Sequence, residues 1–175
     1  MRGVGKVAEI SAAGAEWAWI VGPHSTPAPD ALETLVAALE RLDGLPRPVL
    51  LAGATSNPLD APWPRFGDKG LEVAAVERGL VAIRAVSCAS VLVEASALGD
   101  AAPPEGWAAE VAWTARLLRD RPGYLVPESR ATRSLPAPTA RERLQVLTTG
   151  RWRFAEGAWA AVRLSRDPAR TAAPR

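Results

Sequence analysis

Short, strand-like apolar runs alternate along this chain with segments of helical spacing, and that alternation constrains the fold more than any other feature. WAWIV (Trp17–Val21) is brief, aromatic and branched, and suits a strand buried on both faces. Asp30 with Glu33 three residues on reads as a capping box, after which Leu32, Leu35, Val36, Leu39 and Leu42 recur at helical spacing up to Gly44. PVLLAGA (Pro48–Ala54) is the next strand. The stretch Ser56–Gly70, rich in Pro and Gly, reads as a loop. Leu80–Val93 is apolar and β-prone around Ser87–Ser90, giving two strands or one long bent one. Trp107–Asp120 has Val111, Ala115 and Leu118 on one helical face and stops before Pro122-Gly123; YLV (Tyr124–Val126) is a short strand. Strands alternating with helices indicate an α/β domain.

The ends are expected to be helical or irregular. Val4–Ala15 is Ala-rich with Val4, Val7 and Ile10 at helical spacing. Thr139 with Glu142 opens a helix through Leu147, Trp152–Leu164 is an amphipathic helix, and 165–175 is a disordered tail. Glu9 and Glu16 interrupt the N-terminal apolar stretch, which is wrong for a signal peptide, and no run approaches the roughly 18–20 apolar residues of a membrane span. A cytoplasmic protein is expected, with the inner face of a membrane as an option. Cys88 is the only cysteine, so no internal disulfide is possible, and its apolar setting suits an inert buried thiol.

The net charge of +2 hides an asymmetry: Met1–Ala115 holds 8 basic and 14 acidic residues, whereas the remainder holds 13 basic and 5 acidic. A basic last third suits anionic lipid or a phosphorylated ligand. A solvated Arg-rich surface is the favoured explanation of it, and no nucleic-acid partner is expected.

With these elements in order, several motifs resemble the family 2 glycosyltransferases of GT-A fold, particularly the bacterial rhamnosyl- and galactofuranosyl-type members. Trp17, Trp19, Ile20, Pro27, Pro29, Asp30, Ala31 and Leu32 fit the family's aromatic strand followed by Asp-Asp-Asp, two residues and Pro-x-Pro-Asp-Ala-Leu. SCASVLVEASAL (Ser87–Leu98) resembles a later motif, and AEVAWTARLLRDRPGYLVP (Ala109–Pro127) resembles the acceptor-side helix and the strand ending in Val-Pro. The likeness spans about Gly3 to Arg133. It implies a partial GT-A mixed sheet flanked by helices over 1–138, a C-terminal helical extension over 139–164, and the tail.

The resemblance also implies site residues. Glu110 aligns with the carboxylate that serves as general base on the acceptor hydroxyl, and Trp107 and Trp113 beside it would form an acceptor platform. The family's acidic turn holds manganese or magnesium, which needs oxygen ligands. Here that turn is Gly22-Pro23-His24, leaving His24 as a remnant metal ligand, and Arg133 stands where the family places a histidine ligand. Either His24, Arg130 and Arg133 neutralise a diphosphate without metal, since arginine recognises phosphate well, or the site has decayed.

The family's opening βαβ unit, which seats the nucleotide base, has no counterpart. The chain then begins late, or a protein partner covers the exposed sheet edge. The expected function is transfer of a sugar from a nucleotide-sugar to a glycan or lipid-linked acceptor of the cell envelope. Its alternative is a catalytically inactive domain that serves as partner or scaffold of an active glycosyltransferase. A third option is a membrane-surface module using Arg151, Trp152, Arg153, Trp159 and Arg163.

Overall fold

The structure, a computed structural model, describes residues 15–57, 60, 62–65, 67–98, 104 and 106–134. The helices expected over Val4–Ala15, Thr139–Leu147 and Trp152–Leu164, the tail, and the membrane-surface residues lie outside this range, Ala15 excepted.

The elements are β1 (Trp17–Val21), β2 (Ser25–Pro27), α1 (Ala31–Glu40), β3 (Leu50–Thr55), β4 (Trp63–Pro64), α2 (Lys69–Val76), β5 (Val81–Ala85), β6 (Ser90–Glu94), α3 (Ala95–Leu98), α4 (Trp107–Leu117) and β7 (Gly123–Arg133). They form one mixed seven-stranded sheet in the order β1-β6-β3-β7-β5-β4, with β2 paired to β7. β6 lies antiparallel between β1 and β3, and β3 is parallel to β7, so β1, β3 and β7 all point the same way. The α/β class expected from the alternation is what the chain adopts.

Period-two alternation along the central strands divides the core. Leu50 and Ala52 join Val91, Val93, Trp113 and Leu118 on the side of α4, while Leu51 joins Leu92, Tyr124, Val126, Leu35 and Ala75 on the side of α1 and α2. β3 is buried on both faces from Leu50 to Gly53, which is why it reads as a continuous apolar run. β1 departs from the expected double burial: Trp19 is 36% and Val21 39% exposed. Among the described residues β1 pairs only with β6, so it is an edge strand, and its side chains lack a neighbour on one flank.

Two local expectations are corrected. Asp30 precedes α1 but makes no side-chain cap bond, and Thr34 Oγ1 donates to the Asp30 carbonyl at 2.8 Å, so the capping box with Glu33 is not formed. The stretch read as a loop through Gly70 instead ends in a capped helix: Asp68 Oδ1 accepts from the Leu71 N–H at 3.1 Å and starts α2. The apolar stretch Leu80–Val93 does resolve into two strands, β5 and β6.

β7 is much longer than the YLV run because it continues beyond a bulge. Gly53 faces Val126, but the next residue, Ala54, faces Arg130, so Pro127–Ser129 stand outside the ladder. Proline, lacking an N–H, is tolerated there. The bulge rests on Gly53, where a Cβ would come 2.9 Å from Ser129 Oγ and 3.0 Å from its carbonyl oxygen. Ser129 Oγ in turn donates to the Ala31 carbonyl at 2.9 Å, fastening the bulge to the start of α1. Beyond it, Ala131–Arg133 pair with β2, which carries Arg133 to the carboxyl end of the sheet.

Candidate functional site

Ligands of open α/β sheets are held outside the carboxyl ends of parallel strands. In this chain that edge gathers the turn after β1, the start of β6, the end of β7 and, packed beneath them, the first turn of α4. The turn is closed by the Ser25 N–H donating to the Gly22 carbonyl at 3.2 Å. Pro23 follows Gly22, and His24 has φ 62°, the arrangement of a type II turn. The His24 carbonyl accepts from the Ser134 N–H at 3.1 Å, tying the turn to the end of β7.

Gly22 leaves the first position of this turn no room for a side chain. A Cβ there would lie 2.5 Å from the Cys88 carbonyl oxygen and 3.4 Å from Arg133 Nη2. Backbone blocks the first contact, so position 22 accepts no side chain while Cys88 and Arg133 keep their places.

The chemistry of the edge lies just inside it. Arg133 donates through Nη1 to Glu110 Oε2 at 2.8 Å and through Nη2 to Glu110 Oε1 at 2.7 Å, and the Cys88 N–H donates to Oε2 at 2.9 Å. Asp60 Oδ1 lies 3.6 Å from Nη1. Glu110 and Asp60 are each 1% exposed, and the Arg133 side chain is fully enclosed. One turn along α4 from Glu110, Thr114 Oγ1 donates to the Val86 carbonyl at 2.7 Å and accepts from its N–H at 3.0 Å. An (i, i+4) pair on one helix face thus fastens α4 to the buried segment between β5 and β6.

Burial by itself would lower the affinity of the Arg133 guanidinium for its proton, but the Glu110 hydrogen bonds and the charges of Glu110 and Asp60 reverse this and hold it raised. Asp60 is pushed above the usual carboxylate range by burial; Arg133 and the Ser87 hydroxyl oppose the shift and the Glu110 charge adds to it. The Cys88 thiol is pushed far up by burial, with Glu110 adding, so it is no nucleophile at neutral pH.

The residues singled out by sequence are therefore divided. Glu110 and Arg133, expected in separate roles, bind each other. His24 and Arg130 are exposed, so the set of His24, Arg130 and Arg133 is not presented to a diphosphate as a group. Trp113 is 7% exposed within the core beside Val91 and Leu118, which leaves it no face for a sugar. Trp107 is half-buried and packs against Trp63, ring centroids 5.8 Å apart at 51°. Asp60 and Ser87 were not anticipated: Asp60 lies in the Pro-rich stretch, where no periodicity marks a buried carboxyl. Glu110 carried a usable signal, a charge and a threonine four apart beside the apolar face of Val111, Ala115 and Leu118.

A divalent cation does not fit this donor set. Among the described residues no group of three or more His, Cys, Asp and Glu side chains can hold a metal ion. The two carboxyl groups at the edge flank a guanidinium, whose charge opposes a cation at the same place. Among the described residues, no helix is long and apolar enough to cross a membrane. Neither a protein-family model nor a curated protein sequence matches this chain.

Proposed function

We propose that this chain is a GT-A-like glycosyltransferase domain that has lost sugar transfer and serves as partner or scaffold of an active glycosyltransferase. One observation carries the reading. A general base needs a carboxylate oxygen open to the acceptor hydroxyl, whereas Glu110 is buried and both its oxygens accept from Arg133. The motif order favours the ancestry. The Gly22-Pro23-His24 turn, sterically closed at Gly22, removes the cation-binding carboxylates that transfer would use. The outer flank of β1, which pairs with no other strand among the described residues and has Trp19 and Val21 exposed, suits a protein partner.

The test is donor turnover by the full chain with nucleotide-sugars, with and without manganese, alongside calorimetry with nucleoside diphosphates. No turnover is expected under either condition. Turnover that disappears in Glu110→Gln would overturn the reading and restore the transferase, with Glu110 as its base.

A further inference from the structure

The Glu110 carboxylate sits in a receptor with the make-up of an anion site. Arg133 supplies two parallel donors and the Cys88 main chain a third, all between 2.7 and 2.9 Å from the carboxylate oxygens. Both donor groups belong to the sheet and its connections, whereas the carboxylate arrives from a separate element, α4. Receptor and occupant therefore come from different elements of the fold. Arg133 also carries a donor that Glu110 does not use, since its Nε is buried without a hydrogen-bond partner. Asp60 Oδ1, 3.6 Å from Nη1, is beyond hydrogen-bond distance and does not substitute for Glu110. The wall toward the edge is Gly22, which packs too closely on the Cys88 carbonyl for any side chain, and its neighbours Pro23 and His24, like Thr132 and Ser134 on either side of Arg133, are exposed.

We infer that Arg133 and the Cys88 N–H form an oxyanion-binding cradle which the chain's own Glu110 occupies as a built-in ligand, so that an external phosphate or carboxylate group binds only by displacing it. A guanidinium fork with an added main-chain N–H recognises either group. An internal occupant reduces the apparent affinity for any external anion by the fraction of time the cradle is free. Asp60, the second carboxyl beside the cradle, favours a singly charged oxyanion over a doubly charged one. This goes beyond the function proposed above and needs neither a nucleotide-sugar nor a transferase ancestry.

The experiment titrates formate and inorganic phosphate into the full chain at constant ionic strength, comparing wild type, Glu110→Ala and Glu110→Ala/Arg133→Met by calorimetry. If Glu110 fills the cradle nine-tenths of the time or more, its removal tightens anion binding at least about tenfold, and the gain vanishes when Arg133 is also replaced. A folded Glu110→Ala chain that binds no tighter than wild type overturns the inference. So does a gain that survives loss of Arg133. Should Glu110→Ala fail to fold in anion-free buffer, recovery of its circular dichroism by formate supports the cradle. Glu110→Gln, which keeps the shape and removes the charge, then gives the decisive titration, and no tightening in it counts against the cradle. Sugar transfer by the wild-type chain would overturn the proposed function and leave these titrations unaffected.

Discussion

The two ends of the sheet carry the same residue types in opposite settings. At the carboxyl end, Arg133, Glu110 and Asp60 are enclosed. At the amino end, Arg47 and Arg121 bind Glu94, Arg47 also binds Glu16, and its guanidinium lies 5.8 Å from the centre of the Trp17 ring. There the arginines are about half exposed, at 57% and 42% of their side chains, and Glu94 retains 16%. Water dissolves the second network's charges almost as well as their partners do, so its net value is small. The first has no such refuge. A charge left alone there is destabilising, and the arrangement therefore fixes which segments meet at the carboxyl end.

The sharpest way to break this contrast is Glu110→Ala, which strands the Arg133 guanidinium; about 3–5 kcal/mol of stability should be lost, read by urea denaturation. Replacing both partners with apolar residues, Glu110→Leu/Arg133→Met, should lose much less than either single change, and an equal or greater loss would refute the desolvation account. Next comes Gly22→Ala, in which the added methyl meets the Cys88 carbonyl; about 1–3 kcal/mol should be lost. A neutral result would mean that the turn has room for a side chain after all.

Smaller effects separate the two ends by the sign of their pH dependence. Asp60 has its pKa raised by burial, so its contribution is fully present below the ordinary carboxylate range and is lost as pH rises through the raised value. Asp60→Asn should remove that slope, gaining stability relative to wild type at pH 7 compared with pH 4. Glu94 has the opposite shift, lowered chiefly by its Arg121 hydrogen bond, and its contribution is present above the ordinary range and is lost as pH falls through the lowered value. Glu94→Gln should lose no more than about 1 kcal/mol at neutral pH, less in high salt. Slopes of the same sign in the two variants would erase the distinction between the ends.

Much of the fold is legible in the residues because periodicity survives wherever one or both faces are buried. β1, β3, the pair β5 and β6, α1 and α4 all declare themselves this way. α2 does not, since it is eight residues long with Gly70 in its first turn and Val73 and Val76 exposed, so its apolar stripe is blurred. β2 and β4 are two or three residues each and exist because a longer strand offers them pairing. At the site, Glu110 and Arg133 both stand out as individuals. Their union does not, because it depends on α4, a turn and a bulged strand returning the chain to one place, and no local spacing encodes that return.

The bulge at Pro127–Ser129 has a consequence for motion. It splits β7 into two cooperative units. Gly123–Leu125 are paired on both sides, by β3 and β5, whereas the ladder past the bulge has two residues of β3 and three of β2, one of them Pro27 with no N–H to give, beside the bonds of Arg133 to Glu110 and of Ser134 to His24. The distal unit should open at lower free energy than the core, and its amides should exchange with deuterium before those of Tyr124 and Leu125. Arg133 travels with the distal unit and Glu110 with α4. The guanidinium can therefore leave its carboxylate through a local opening, while Leu51, Tyr124 and Val126 remain packed.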